Sequence, residues 1–364
     1  MLIAAQSGRA LAAAARRAGY APLVADLFED DDTRVLASRT ARLPGGIGRA
    51  PGRTALLRTL DRLSQGSPPV GLAYGTGFEA RPDLLDAVSE RYPLLGNGGE
   101  TVRRLKDPRA FAALCHDCAV PHPVVAMRPG AGEWLEKRAG GAGGTHVRPA
   151  RIGRVRPPRY VQRRVEGRPV SALFLANGRG RALVLGFSTQ WAAPAPRGPY
   201  RYGGAARPAQ LDAAVANAIE GAVHRLSAAT GLVGLNAADC LVRADGFDIL
   251  EINPRPGASL DVFADPEGRL FQWHVEACRD GRLSAQPPGF RRAAASAVAY
   301  ARRVVSIRTG FTWPDWAADR QRPGRLVPEG GPLCTVLAEA ENVEAARALA
   351  MTRVEIILAM VEGT

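Results

Sequence analysis

The sequence predicts an α/β protein that opens on a small doubly wound parallel sheet. Three observations carry this. Short apolar runs alternate with helical stretches through the first hundred residues, the pattern of βαβ units. The strand-like Glu133–Lys137 runs into Arg138-Ala139-Gly140-Gly141-Ala142-Gly143-Gly144-Thr145-His146. Further on, Cys240–Val242 and Phe247–Ile252 flank a turn and carry acids at their outer ends.

In order, Leu2–Ala5 reads as a strand, the alanine-rich stretch from Gly8 to Gly19 as a helix stopped by glycine, and Pro22–Phe28 as a second strand. Gln6-Ser7-Gly8, at the first strand–helix turn, is read as structural. Helices at Thr54–Leu63 and Pro82–Arg91 alternate with strands at Val70–Tyr74 and Leu94–Asn97. The turn Gly75-Thr76-Gly77 falls at a strand's carboxyl end, where open α/β sheets bind ligands. Lys106-Asp107-Pro108 opens a helix, Arg109–Cys118, with Pro108 at its first position. Tyr160–Ser171 leads into strands at Ala172–Ala176 and Ala182–Phe187, a meander joined at Asn177-Gly178. Trp191–Gly204 reads as an irregular loop over a site. Leu211–Thr230 is a helix ended by Gly231, Phe271–Arg279 another, and Val343–Met360 the last.

The bulk composition excludes more than it assigns. No apolar run is long enough to span a membrane, and the N-terminus lacks the basic leader and long apolar core of a signal peptide. Five scattered cysteines make no disulfide framework, so a cytoplasmic location is expected. Cys115-His116-Asp117-Cys118 with His122 lacks the second ligand pair of a zinc knuckle, so packing is the expected role of those cysteines. The formal charge is +13, but Lys106 and Lys137 are the only lysines among 48 basic residues. Arginine elsewhere is spread without clusters, which reads as a solvated surface and not a nucleic-acid footprint. Where lysine persists against such a bias, a compact ammonium acting as a point charge is indicated.

The stretch from Gly234 to Gly257 concentrates the chemistry. A three-residue turn, Ala244-Asp245-Gly246, with Gly246 at positive φ, would pair Arg243 with Phe247 and Leu241 with Ile249. Asp239 then faces Glu251, and Asn253 lies on the same face as Glu251. Opposed carboxylates repel unless a cation sits between them. Hard oxygen donors suit Mg²⁺ with phosphates, not zinc. On these residues alone, a surface hairpin with its acids in water stays open. So does a plain flexible linker for the glycine run, whose glycines would otherwise let backbone N–H groups approach phosphate oxygens. The lysine precedes the glycines, so this is not a Walker loop.

Taken together, the order of parts resembles the ATP-grasp superfamily. Those parts are Lys106-Asp107 opening a helix, Lys137 before a glycine loop, Gln162–Val165 before Glu166-Gly167, Asp239, and Glu251-Ile252-Asn253-Pro254-Arg255. The resemblance implies an N-terminal Rossmann-like domain over residues 1–100, one ATP-grasp lobe over 101–171, a second over 172–290, and a C-terminal segment over 291–364. It implies that Lys106 and Lys137 contact ATP phosphates and that Gly140, Gly141, Gly143, Gly144 and Thr145 close over them. Gln162, Arg164, Val165 and Glu166 form the adenine-binding hinge, and Asp239, Glu251 and Asn253 hold Mg²⁺ (or Mn²⁺). Arg255, with Lys137, serves the transferring phosphoryl group. Pro169 stands where the family often has a ribose-binding acid, leaving Glu166 and Ser171 as substitutes.

Gly234-Leu-Asn-Ala-Ala-Asp239, Asn253-Pro-Arg-Pro-Gly257 and Trp313-Pro-Asp-Trp316 are similar to stretches of predicted ATP-dependent carboligases resembling tyramine–glutamate ligase. The implied activity is an ADP-forming carboxylate–amine ligase acting through an acyl phosphate, such as an amino-acid or glutamate ligase of coenzyme biosynthesis. An ATP-grasp carboxylase or small-molecule kinase, and an arginine-rich nucleic-acid-binding protein, are the alternatives. The expected partners are small-molecule carboxylic acid and amine substrates, with no nucleic acid and no membrane; a homo-oligomer is left open.

Overall fold

The computed structural model describes residues 1–196, 198–283 and 289–363. Arg197, in the expected site loop, and residues 284–288, near the end of the expected second lobe, lie outside the described residues. Among those described, no helix is long and apolar enough to cross a membrane.

The chain opens with β1 (Leu2–Ala4), α1 (Arg9–Arg17), β2 (Leu23–Asp26), α2 (Asp31–Leu36), β3 (Arg39–Arg42), α3 (Arg53–Ser64), β4 (Leu72–Tyr74), α4 (Asp83–Ser89) and β5 (Leu94–Leu95). The strands form one parallel sheet in the order β3-β2-β1-β4-β5. Its central strands are apolar on both faces, as a sheet covered on both sides requires. The apolar pattern does not announce α2 and β3, because β3 is a mostly polar edge strand, Arg-Thr-Ala-Arg. The Gly8 N–H donates to Asp26 at 2.9 Å, so the first strand–helix turn is closed by an acid and turned away from phosphate binding.

Next come α5 (Gly99–Lys106), α6 (Pro108–Asp117), β6 (Val125–Ala126), β7 (Trp134–Arg138), β8 (Arg148–Pro149) and β9 (Arg159–Arg163). Asp107 caps α6, accepting from the N–H groups of Arg109 and Ala110, with Pro108 in the first turn. Cys115 is fully buried in the core beneath α6. The four strands make a small antiparallel sheet, β6-β9-β7-β8.

The chain continues through β10 (Arg168–Asn177), β11 (Ala182–Ala192), β12 (Tyr202–Arg207), α7 (Ala213–Thr230), β13 (Val233–Arg243), β14 (Gly246–Asn253), α8 (Arg269–Asp280), β15 (Ala293–Tyr300), β16 (Val305–Ser306), β17 (Ala317–Ala318), β18 (Leu326–Val327), β19 (Pro332–Ala340) and α9 (Val343–Glu362), with β16 and β18 paired as a separate two-stranded ribbon. Eight of these strands pair in the order β14-β13-β10-β11-β12-β15-β19-β17. The C-terminal strands therefore continue the central sheet through the β12–β15 pairing and do not form an appended unit. The division expected at residue 171 falls inside β10. The stretch Trp191–Gly204 is also more regular than expected: β11 runs to Ala192 and β12 begins at Tyr202, leaving a short loop. Helices α6 and α7 cover one face of the β10–β13–β14 region, and α9 covers the C-terminal strands.

The hairpin of β13 and β14 differs from a regular one. Arg243 pairs with Gly246, Leu241 with Asp248 and Cys240 with Ile249. The loop is thus two residues long, and Gly246, at φ +159°, is nearly extended and does not occupy the left-handed region. A β-bulge then adds one residue, Leu250, and restores Asp239 opposite Glu251. The bulge has a physical purpose. It lets Phe247, Ile249 and Ile252 all enter the core while Glu251 and Asn253 face the other way, which strict alternation would forbid.

Candidate active site

The two sheets and the N-terminal domain enclose a cleft of about 970 Å³, at the upper end of the range for small-molecule sites. Every residue that the sequence assigns to binding, metal or catalysis lines it: Lys106, Lys137, Gly140, Gly141, Gly143, Gly144, Thr145, Gln162, Arg164, Val165, Glu166, Asp239, Glu251, Asn253 and Arg255. Leu135, Leu241 and Leu250 add apolar wall beside Val165.

At the hairpin, Asn253 Nδ2 donates to Asp239 at 2.8 Å, and the Ser171 hydroxyl donates to the same carboxylate at 2.7 Å. Lys106, at the C-terminal end of α5, donates to Glu251 at 2.8 Å and to Asn253 Oδ1 at 3.0 Å. The ammonium expected on phosphate therefore rests here on Glu251 and Asn253, and Ser171, a candidate for ribose, is committed to Asp239. Burial pushes the Glu251 carboxyl upward, but Lys106, joined by Lys137 and His146, outweighs it and holds the group at about 2. Burial and the charge of Glu251 together push Asp239 upward, against the Ser171 hydrogen bond and Lys106. One carboxylate is firmly ionised and its neighbour is short of positive charge. The donor set is all hard oxygen, and two of its oxygens already hold an ammonium, so the residues fit Mg²⁺ or Mn²⁺.

Lys137, on β7, donates to Gln162 Oε1 on β9 at 2.5 Å. Burial lowers its pKa, opposed by Glu251 and Asp239. Gln162 is itself buried, and its side chain meets the lysine and His122. Its neighbours Arg164, Val165 and Glu166 lie in the strand-free stretch between β9 and β10 and line the cleft. Burial, with Lys137 nearby, brings the His122 imidazole down to about 4, so it is neutral.

The glycine run between β7 and β8 is pressed between two walls. A Cβ on Gly140 would lie 2.6 Å from the Glu79 carbonyl oxygen, and one on Gly144 would lie 1.8 Å from the Tyr200 carbonyl oxygen. Both residues have left-handed backbone, at φ +66° and +73°. The Tyr202 N–H also donates to the Gly143 carbonyl at 2.9 Å. Gly144→Ala is therefore expected to cost about 1–2 kcal/mol in backbone conformation alone and to force the loop off Tyr200. Limited proteolysis should show faster cleavage between residues 140 and 146, with the global unfolding transition little changed.

Several contributors were not legible in sequence. Glu79, just past the Gly75–Gly77 turn, accepts from Arg255 Nε at 2.7 Å, and both side chains are buried. Burial raises the Glu79 carboxyl, yet Arg255 and Lys106 bring it below its ordinary value. This pair ties the N-terminal domain to the site. Glu79→Gln would leave a buried guanidinium uncompensated and is expected to cost about 3–5 kcal/mol, read as a lower denaturation midpoint. His146 is a second case: its Nδ1 is buried and unpartnered beside the glycine loop, and burial lowers its pKa. Asn97 also joins the domains, donating to Asn236 at 2.8 Å and to the Pro254 carbonyl at 2.9 Å. Polar residues scattered over 150 positions carry no spacing signal; only the fold brings them together.

Comparison with known proteins agrees with this geometry. Residues 105–259 match the model of the ATP-grasp domain, whereas no curated protein matches the chain. Among solved structures, biotin carboxylase from Campylobacter jejuni, in its β,γ-ATP complex, is similar with a TM-score of 0.69 at 13% identity, over 96% of this chain and 89% of that one. An L-amino acid ligase from Bacillus licheniformis gives 0.69 at 15% identity, over 96% and 95%. The biotin carboxylase domain of 2-oxoglutarate carboxylase from Hydrogenobacter thermophilus, in complex with MgADP and bicarbonate, gives 0.71 at 11% identity, over 96% and 88%. Residues 105–259 are thus an ATP-grasp domain, and the chain as a whole has the fold of the ATP-grasp superfamily.

Proposed function

We propose that the protein is an ATP-dependent carboxylate–amine ligase that releases ADP and works through an acyl phosphate. The observation that carries this reading is the convergence of the only two lysines of the chain with Asp239, Glu251, Asn253 and Arg255 on one cleft. A carboxylate is a poor electrophile. In the proposed reaction its oxygen attacks the γ-phosphorus of ATP, the bond to ADP breaks, and ADP leaves with the electron pair. The lone pair of an amine then attacks the acyl carbon, phosphate leaves, the nitrogen loses a proton, and an amide remains. Such chemistry asks the protein for positioning and charge neutralisation, not for a nucleophile.

Lys106 and Lys137 are assigned to the phosphates, under the loop from Gly140 to Thr145. Arg255, oriented by Glu79, is assigned to the transferring group. Asp239, Glu251 and Asn253 would hold Mg²⁺ or Mn²⁺, which when bound neutralises phosphate charge. The acid is proposed to be an amino acid such as glutamate, consumed in coenzyme biosynthesis in the cytoplasm. The test is a phosphate-release screen of amino acids and small amines with ATP. Pair-dependent release of phosphate with ADP supports the ligase; AMP and pyrophosphate as products would overturn it.

A further inference from the structure

At the far side of the same cleft, the carboxyl ends of β1 and β2 meet the C-terminal strands. In a chain of formal charge +13, Asp26, Asp30, Asp32, Asp261 and Asp319 gather here around Arg9. Four of these acids are accounted for. Asp261 and Asp319 both accept from the Arg9 guanidinium, at 2.5 and 2.6 Å for the first and 3.0 and 3.2 Å for the second. Asp26 accepts the N–H groups of Gly8 and Glu29, and Asp32 accepts those of Asp319 and Arg320.

Asp30 is different. It lines the cleft, is 1% exposed, and neither of its carboxylate oxygens has a partner. It also stands at the N-cap of α2 without using its side chain as a cap. A buried carboxylate without a hydrogen bond is costly, and neighbouring carboxylates make it more so.

We propose that this corner of the cleft binds the protonated nitrogen of an organic amine at the carboxylate of Asp30, beside Asp32 and Asp319. The inference deepens the ligase reading and rests on it, since it assigns the amine substrate to the acidic end and the nucleotide to the lysine end. The loop from Pro254 to Asp261 joins the two, with Arg255 at one end and the Arg9-bound carboxylate at the other. Burial, followed by the charges of Asp319, Asp26 and Asp32, pushes the Asp30 carboxyl up to about 9, against Arg9. An ammonium group supplies what the site lacks.

The test uses butylamine and its neutral counterpart 1-butanol as probes of the full-length protein, by ligand-observed NMR titration. Binding of Mg²⁺ with a non-hydrolysable ATP analogue is measured on the same samples by calorimetry. Butylamine is expected to bind at least tenfold more tightly than 1-butanol, and Asp30→Asn is expected to remove that preference while leaving nucleotide affinity within twofold. Retained nucleotide binding in the variant also shows that the chain is folded. Equal binding of the two probes by the wild type, or an unchanged preference in Asp30→Asn, would overturn the inference. Failure of the wild type to bind nucleotide would instead overturn the ligase reading, so the two fail separately.

Discussion

Glu251→Gln is expected to lower ATP turnover by about 10²–10³-fold, the range for losing one electrostatic group at a reacting phosphate, while the protein stays folded. Glutamine has the same shape and can still accept from Lys106, so the 2.8 Å contact survives in weaker form. What disappears is the negative charge. Glu251 is the carboxylate that the two lysines hold at about 2, and it is therefore the reliably ionised donor beside a depleted Asp239. Without it, two ammonium groups remain near a single carboxylate, Asp239, which burial still pushes upward, and the cation site loses its anchor. Steady-state ADP release at saturating Mg²⁺, paired with a thermal melt, checks both halves of the expectation. Full turnover in a folded variant would remove Glu251 from the proposed site.

Lys137→Arg is expected to be as damaging, although it keeps the charge. The lysine ammonium sits 2.5 Å from Gln162 Oε1 on the neighbouring strand, in surroundings dry enough to lower its pKa. A guanidinium is planar and wider, and reaches its partners as a fork instead of a point. It cannot occupy that position without displacing Gln162 or the loop that begins at Gly140. A loss of about 10²-fold or more in turnover is expected, on the scale of an ångström-level misplacement of a positioning group, together with weaker nucleotide binding by calorimetry. The composition sharpens this test. Nearly every other basic position in the chain is arginine, so an arginine that served equally well at residue 137 would show that the persistence of lysine there has no chemical cause.

Much of the architecture was readable because it rests on short-range signals. Asp107-Pro108, Gly231 and the alternating runs of the first hundred residues each fix a local conformation, and the corresponding elements sit within a few residues of where those signals place them. The facing of Asp239 and Glu251 was also readable, but by a different route from the one taken by the backbone. A regular three-residue turn and a two-residue turn followed by a bulge give the same pairing at Asp239. What separates them is the core, which demands Ile249 and Ile252 on one face, and no alternation rule contains that demand.

The partners of the site side chains were not readable for a related reason. Glu79 on Arg255, Gln162 on Lys137 and Asp30 without a partner are consequences of packing between segments 25 to 176 residues apart. Nor was the continuity of the sheet. That β15 adds to β12 depends on which edge is left open after the ATP-grasp strands have paired, a property of the assembled sheet and not of Ala293–Tyr300 alone.

The acyl phosphate is the centre of the account, and oxygen transfer reads it directly. With the acid and amine returned by the phosphate-release screen, the acid is labelled with ¹⁸O in its carboxylate and the released phosphate is examined by mass spectrometry. Transfer of the γ-phosphoryl group to the carboxylate predicts one ¹⁸O in each phosphate, formed together with ADP and one amide bond. Unlabelled phosphate, or label found in AMP, would contradict it.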